Sequence, residues 1–417
     1  MVAYVRVILK ITPFIIMTDI LILGQGAREN VIKEKLAVND NIVHTLDTIH
    51  FQEILGFCEN HEIQIVIPGS EWYLCQGIKN FLETNIPHIQ VFGPDRYQAQ
   101  IEGSKLFSKI LMNKLKIPTA PFYYVKNPDH FYCDDKLDDI VIKYCGLANG
   151  KGVYLPTQTD SVNTILHDLE KFGNDGFIVE NRYHGTEVSV IAFCNGLESF
   201  LMPMAQDYKN IYDGNTGPNT GGMGAVCPVN ILSDTELNVI KSHIDSAVRE
   251  LKYIGIIYAG IMKTQDGIFF LEFNCRFGDP EAQCILNLLQ SDLLGVISSC
   301  LAQETPELIW HDFHSATVVL SHELYPAEKL TNPVRMTWTN HLDDTIKIYY
   351  SNVTTDTTNT KYTTGGRVLS LTSVDMTQET ALSNIYSNID KITYPGVYYR
   401  RDIGVNSKLT DINNIFL

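Results

Sequence analysis

DILIL, at residues 19–23, has no polar side chain after its first position, and the helix-patterned VIKEKLAV comes soon after it. The pairing recurs as NIVHTL with FQEILGFCEN and as IQIVIPG with YLCQGIKNFLETN, before IQVFGP closes the series. Apolar strands that alternate with helices imply a parallel sheet covered on both faces. Residues 19–117 are therefore expected to form an N-terminal α/β domain around a doubly wound parallel sheet. Its last helix is expected across Gln98 to Lys116, ended by IPTAP at Pro118.

The pattern then changes. Residues 118–186 read as a smaller unit: a strand IVIKY, a glycine turn GLANGKG, a strand VYLP, a helix SVNTILHDLEKF and a strand GFIVE. Residues 187–325 carry the strands VSVIAFC and SFLMPMAQ, a glycine-rich run, the helix ELNVIKSHIDSAVRELK and a hairpin around TQDG. Residues 326–417 shift to Thr-rich strands (IKIYYSNV, RVLSLTSV) with a late helix near 376–390, a small mixed β/α domain. The Ser/Thr run at 351–364 reads as a hairpin end. The whole chain is expected to be α/β in class, α+β taken overall. Residues 1–18 stand apart as an N-terminal extension; its first 17 residues are largely apolar with only Arg6 and Lys10 charged, and shorter than the ~20 residues of a membrane span. Met17 is the expected natural start.

Composition narrows the function. A formal net charge of −16 argues against a nucleic-acid partner, which needs a basic face, but leaves room for a locally basic pocket and an anionic small substrate. The nine cysteines are scattered without a CxxC pair, which suits reduced thiols in the cytoplasm rather than a disulfide framework or a zinc site. No membrane partner is expected.

Four stretches carry chemistry. In GQGAREN, Gly24 and Gly26 form a turn between strand and helix where backbone N–H groups can hold an anion, and Arg28 suits a phosphate or carboxylate. In KYCGLANGKG, Lys143 stands on an incoming strand, and Gly150, Lys151 and Gly152 lie in a loop able to close over phosphates. In GIFFLEFNCRFGDPE, strict alternation would put Ile268, Phe270, Glu272 and Asn274 on one face of a strand. Glu272 and Asn274 are then two hard oxygen ligands for Mg²⁺, with Arg276 beside them to neutralise an anion. The fourth, GNTGPNTGGMGA at 214–225, contains too few large side chains to build a core; its small residues admit a ligand close to the backbone, with Asp213 and Asn219 as polar contacts.

Together these residues resemble the ATP-grasp superfamily and, within it, the phosphoribosylamine–glycine ligases. The carriers are EGSKLFSK at 102–109, IKYCGLANGKGV at 142–153, GPNTGGMGA at 217–225 and LEFNCRFGDPEAQ at 271–283, with TGGRVL at 364–369 and YRRDIG at 399–404. The resemblance runs in order from about Asp19 to the end, and implies a monofunctional enzyme. It further implies an N-terminal substrate-binding domain, a small ATP-grasp lid and a main ATP-grasp domain with the metal site. The implied reaction joins glycine to 5-phosphoribosylamine with cleavage of ATP, through glycyl phosphate, with Mg²⁺ or Mn²⁺ as cofactor. Small molecules would be the only substrates, and the chain a monomer or weak homodimer.

By the same resemblance Lys105 and Lys143 contact ATP phosphates, and Gly150, Lys151 and Gly152 form the closing loop. Glu180 lies near adenine, Glu187 accepts from the ribose hydroxyls, and Glu272 and Asn274 bind the metal. Gly24, Gly26, Arg28, Glu71, Asp213, Asn219 and Arg276 line the phosphoribosylamine and glycine site, where Arg276, Lys143 and Asp213 are the implied catalytic set. The chain departs from the family pattern at Ala27 and Asn30, at Tyr208 and Asn210, at Ser70, and at Glu323–Leu324. None of these is an implied metal ligand or ATP lysine. Two other readings stay open: a sibling ATP-grasp ligase acting on another carboxylate, and a non-catalytic nucleotide-binding protein.

Overall fold

The computed structural model describes residues 18–131, 137–148, 151–157, 160–328 and 330–405. The expected extension, apart from Thr18, and Gly150 of the closing loop lie outside them. The N-terminal strands form a four-stranded, all-parallel sheet in the order Ile42–Leu46, Asp19–Leu23, Ile65–Pro68, Gln90–Val91. Ile20 and Ile22 enter one core while Leu21 and Leu23 enter another on the opposite face, and all four are fully buried. That two-sided burial is the physical reason for an unbroken apolar run.

A second sheet, antiparallel, follows in the order Phe122–Val125, Phe177–Asn181, Ile140–Tyr144, Val153–Tyr154. The helix Val162–Leu169 lays Ile165, Leu166 and Leu169 on it, with Ser161 capping its N-terminus. Next comes an antiparallel sheet ordered Ser199–Leu201, Thr186–Asn195, Ile254–Lys263, Ile268–Asn274. Against it packs the helix Asp234–Leu251, opened by a reciprocal capping box between Ser233 and Glu236. The last large sheet pairs Gly224–Cys227, from the glycine-rich run, with His314–His322 and through it with Arg367–Asp375 and Ile346–Tyr350. The Thr-rich run is a hairpin of Val353–Thr355 and Lys361–Thr363, and the late helix is Gln378–Ile389.

Two local expectations are corrected. The single helix across Gln98 to Lys116 is two helices, Gln100–Gly103 and Lys105–Lys114, because Ser104 is extended (φ −140°, ψ 107°) and caps the second. The Lys105 amide leaves the helical pattern to donate to Cys145 O at 2.8 Å, tying this helix to the end of the strand Ile140–Tyr144. The alternation along Ile268–Asn274 is broken by a bulge: Glu272 pairs with Gly260 and Phe270 with Ile261, leaving Leu271 as the extra residue. Phe270 therefore joins Phe273 in one core, their ring centroids 5.5 Å apart, instead of sharing a face with Glu272.

The N-terminal domain meets the main sheet backbone to backbone. Gly255 has φ +134°, and a Cβ on it would lie 2.8 Å from Gly93 Cα. Gly255→Ala is expected to cost roughly 1–3 kcal/mol through strain at this φ, with the clash added. The midpoint of urea unfolding checks this, and an unmoved midpoint would mean that the two backbones are not held in contact.

Candidate active site

The bulge at Leu271 aims Glu272 away from the Phe270–Phe273 core, into a narrow cleft that Lys105, Lys109, Lys143, Glu102 and Ile101 also line. Lys105 opens the second helix, where Ser104 Oγ accepts from the Phe107 amide at 3.2 Å, and its Nζ sits 3.2 Å from Glu272 Oε2. Lys143 comes from the lid strand Ile140–Tyr144 and donates to Leu271 O at 3.4 Å. Burial alone would raise the Glu272 carboxyl, but the ammonium groups of Lys105, Lys209 and Lys143 outweigh it and hold the pKa well below the usual carboxylate range. Asn274, two residues on, is buried and makes no hydrogen bond through its side chain among the described residues.

Beneath this carboxylate lies a second ionic group. Glu180 is 3% exposed, with Lys109 Nζ at 2.5 Å from one oxygen and Lys143 Nζ at 2.5 Å from the other. Burial opposes ionisation of Glu180, yet Lys143 and Lys109 together push its pKa down. Burial draws Lys109 down to about 8, assisted by Lys143 and Lys105 and resisted by Glu180. Lys109 also donates to Thr119 Oγ1 at 2.6 Å, and that hydroxyl donates to Phe270 O at 2.7 Å. Lys143 thus connects Glu180, on its own sheet, with the bulged strand. Glu187 makes an ion pair with Lys209.

A third set joins the N-terminal domain to the end of the same strand. Arg276 donates through Nε to Glu71 at 3.0 Å and through Nη2 to Glu102 at 2.8 Å, while the Cys275 amide donates to the other Glu102 oxygen at 2.7 Å. Arg28 is buried and donates to Glu29 at 2.8 Å and to Phe277 O at 3.2 Å. The glycines beside it surround that Glu29 carboxylate: a Cβ on Gly26 would lie 2.5 Å from Glu29 Oε2, and one on Gly69 2.2 Å from Oε1. Gly24, at φ +111°, would bring a Cβ to 3.1 Å from Glu29 Cγ. The turn read from the sequence as an anion cradle holds the chain's own carboxylate in this structure.

The glycine-rich run is a hairpin followed by a strand. Asn210–Tyr212 pairs with Thr216–Asn219, and Asn219 Oδ1 accepts from Asn210 at 3.3 Å. Asp213 is exposed and accepts from the Arg401 amide at 2.9 Å. Arg367, of TGGRVL, donates to Gly221 O at 2.5 Å, Asp279 O at 2.6 Å and Asp279 Oδ2 at 2.7 Å. Of the closing loop, Lys151 is exposed with its amide on Ala148 O at 2.9 Å, and Gly152 is buried, its carbonyl accepting from Tyr144 N at 2.7 Å.

The structure therefore gathers Lys105, Lys143, Glu180 and Glu272 in one ionic cluster, and Arg28, Glu71 and Arg276 around another. Asp213 and Asn219 make their contacts elsewhere, toward the C-terminal segment and within the hairpin. The residues that sequence reasoning left without a role are Lys109, Glu102, Lys209, Asp279, Arg367 and Arg400. Each lies within or next to a stretch already singled out; Glu102 and Lys109 bracket EGSKLFSK. Only their partners, distant in the chain, distinguish them.

This arrangement of a parallel-sheet domain, a small antiparallel sheet and a larger sheet bearing a carboxylate strand is the ATP-grasp class. The biotin carboxylase domain of the Hydrogenobacter thermophilus 2-oxoglutarate carboxylase, solved with MgADP, superposes with a TM-score of 0.70 over 92% of this chain and 91% of its own, at 12% identity. Family models for phosphoribosylglycinamide synthetase match more specifically: the N domain over residues 18–102, the ATP-grasp (A) domain over 103–282 and the C domain over 315–406. The phosphoribosylamine–glycine ligase of Listeria monocytogenes serotype 4b is 34% identical over 94% of this chain and all of the relative. The crystal structure of the Thermotoga maritima phosphoribosylamine–glycine ligase superposes with a TM-score of 0.77 at 28% identity, covering 93% of this chain and 100% of that one. The chain belongs to the phosphoribosylglycinamide synthetase family.

The buried ionic cluster makes stability acid-sensitive. The folded pKa of Glu180 lies below the ordinary glutamate value of 4.5, so within that interval the unfolded chain binds more protons than the folded one. Its contribution is fully present above about pH 4.5 and is lost as pH falls through the folded pKa. Glu180→Gln is expected to lower stability near neutrality and to flatten the acid-side decline, measured as unfolding midpoint against pH. A decline as steep as that of the wild type would take Glu180 out of the acid response.

Proposed function

We propose that the chain ligates glycine to 5-phosphoribosylamine, giving glycinamide ribonucleotide, ADP and phosphate, as its family membership supports. A glycine carboxylate oxygen attacks the γ-phosphorus of ATP, and the bond from that phosphorus to the bridging oxygen of ADP breaks. The glycyl phosphate so formed is attacked at its carbonyl carbon by the amine of phosphoribosylamine. Phosphate leaves, and the nitrogen gives up a proton. The chemistry needs no protein nucleophile, so the chain contributes position and charge.

The observation that carries this reading is the convergence of Lys105 and Lys143 on a strand-borne Glu272 beside an unengaged Asn274. Two lysines at one cleft suit nucleotide phosphates. Glu272 and Asn274 offer two oxygen donors, and no group of three or more His, Cys, Asp or Glu able to hold a metal occurs among the described residues. That donor set fits a divalent ion such as Mg²⁺ or Mn²⁺ that completes its shell with water and phosphate oxygens, and not one caged by protein alone. Bound there, the ion would neutralise phosphate charge. Gly150, Lys151 and Gly152 would close over the phosphates, with Glu187 accepting from the ribose hydroxyls. Glu180, near the adenine end, would set the direction of Lys143. Arg28, Glu71 and Arg276 would face glycine and phosphoribosylamine, with Asp213 and Asn219 contributing from the hairpin, while Gly24 and Gly26 would shape the turn that keeps Glu29 beside Arg28.

The domain divisions at residues 117, 186 and 325 belong to this proposal, as do a cytoplasmic location and a monomer or weak homodimer. No described helix is long and apolar enough to cross a membrane, and the eight described cysteines are all unpaired and buried.

The test is ADP release with phosphoribosylamine generated in situ. Release should require both glycine and phosphoribosylamine; turnover with another carboxylate would favour a sibling ligase, and tight ATP binding without turnover a nucleotide-binding protein. Glu272→Gln is expected to lower kcat about 100-fold or more while the protein stays folded. Near-normal turnover at saturating Mg²⁺ would remove Glu272 from the metal site. Arg28→Ala should raise the KM for phosphoribosylamine more than that for ATP, and the reverse order would overturn its assignment.

A further inference from the structure

Arg400 is the largest fully buried side chain of the described residues, with no exposed surface, and it lies near the C-terminal end of the described chain. A guanidinium cannot shed its proton to enter a protein, so its burial demands a complete set of acceptors. Arg400 finds them in two places. Nε and Nη2 grip Asp402 bidentately at 2.7 and 2.8 Å. Nη1 donates to Asn210 O at 3.0 Å, and Nη2 also donates to Asn215 Oδ1 at 2.9 Å. Its face lies over the Tyr208 ring, 5.1 Å from the centroid.

Those last three contacts reach back 185 residues or more, into the glycine-rich hairpin and the strand entering it. Two further bonds run the same way. The Gly214 amide donates to Asp402 Oδ2 at 2.8 Å, and the Arg401 amide donates to Asp213 Oδ1 at 2.9 Å. The segment they hold, residues 212–218, is exposed throughout. Gly214 has φ +69° and open space where a Cβ would point. An exposed, glycine-bent segment would ordinarily be mobile; here the ion pair of buried Arg400 with half-buried Asp402 fixes it from behind while its other side stays free for a ligand. Tyr208 and Asn210, two of the positions at which this chain departs from its family's pattern, are both partners of Arg400.

We infer that Arg400, acting through Asp402, is a positioning residue that sets the glycine-rich hairpin for the acceptor substrates and so makes the C-terminal segment part of the site. The inference rests on the proposed reaction for its kinetic consequence, but its structural half can be read without turnover.

The experiment uses the full chain with Arg400→Lys, which keeps the charge and loses the fork, and Asp402→Asn, which keeps the shape. Hydrogen exchange at the amides of 213–219 should accelerate in both while exchange in the strand Ile268–Asn274 stays as in the wild type. In the ADP-release assay the KM for glycine or phosphoribosylamine should rise on the order of 10- to 100-fold, with the KM for ATP unchanged. A purely structural role would instead lower the fraction of active enzyme and leave every KM where it was. Unchanged exchange at 213–219 would overturn the inference, as would faster exchange with unmoved acceptor KM values or an equal shift in the KM for ATP. If the wild type itself released no ADP with these substrates, the proposed reaction would fall, and the exchange comparison alone would decide whether Arg400 holds the hairpin.

Discussion

Glu272, partly buried at the edge of a cleft, is held in its ionised form by three lysines from three parts of the chain. Lys105 comes from the helix that leaves the N-terminal domain, Lys143 from the lid sheet and Lys209 from beside the glycine-rich hairpin. Each of them lowers the pKa of Glu272 against the pull of burial. Desolvating one charge costs more than a single surface partner returns, so several cations are required. The demand is mutual, because Lys143 would itself be driven toward neutrality by burial without Glu180 and Glu272. The small antiparallel sheet, the main sheet and the linking helix are thereby held in one arrangement around a cleft.

The same logic recurs at the other end of the strand. Arg276 takes one carboxylate from the N-terminal domain, Glu71, and another from the first of the two helices that follow it, Glu102. Glu102 also binds the Cys275 amide, so a single side chain orders both the backbone turn and the cation beyond it. Arg367 does comparable work from the C-terminal sheet, holding Gly221 and Asp279 together. Partly buried arginines with carboxylate and carbonyl partners add directed links between sheets that also share one hydrophobic core. Their planar forks fix direction as well as distance, which lysines at these places would not.

Much of this was legible beforehand. The parallel sheet followed from apolar runs such as DILIL, since burial on both faces removes the need for alternation. The hairpin turn at Asp266–Gly267 was readable because it depends on neighbours in sequence. The helix break at Ser104 was not, since it arises from a bond between the Lys105 amide and Cys145 O, forty residues away. Nor was the bulge at Leu271. It comes from the register with Gly260 and Ile261 on the neighbouring strand, and it alone determines that Phe270 packs with Phe273. The glycines near Arg28 were read as a place for a ligand, whereas their free volume is taken by Glu29, whose approach no local pattern announces.

The sequence by itself determined the class of fold and the family, because periodicity, turn chemistry and motif spacing are local properties of the chain. Tertiary structure decided which groups pair: that Glu180 sits between Lys109 and Lys143, that Arg276 joins Glu71 to Glu102, and that Arg400 reaches the glycine-rich hairpin. The reason is electrostatic. A buried charge is tolerable only where opposite charges and hydrogen bonds converge on it, and in this fold those partners come from segments tens to hundreds of residues apart.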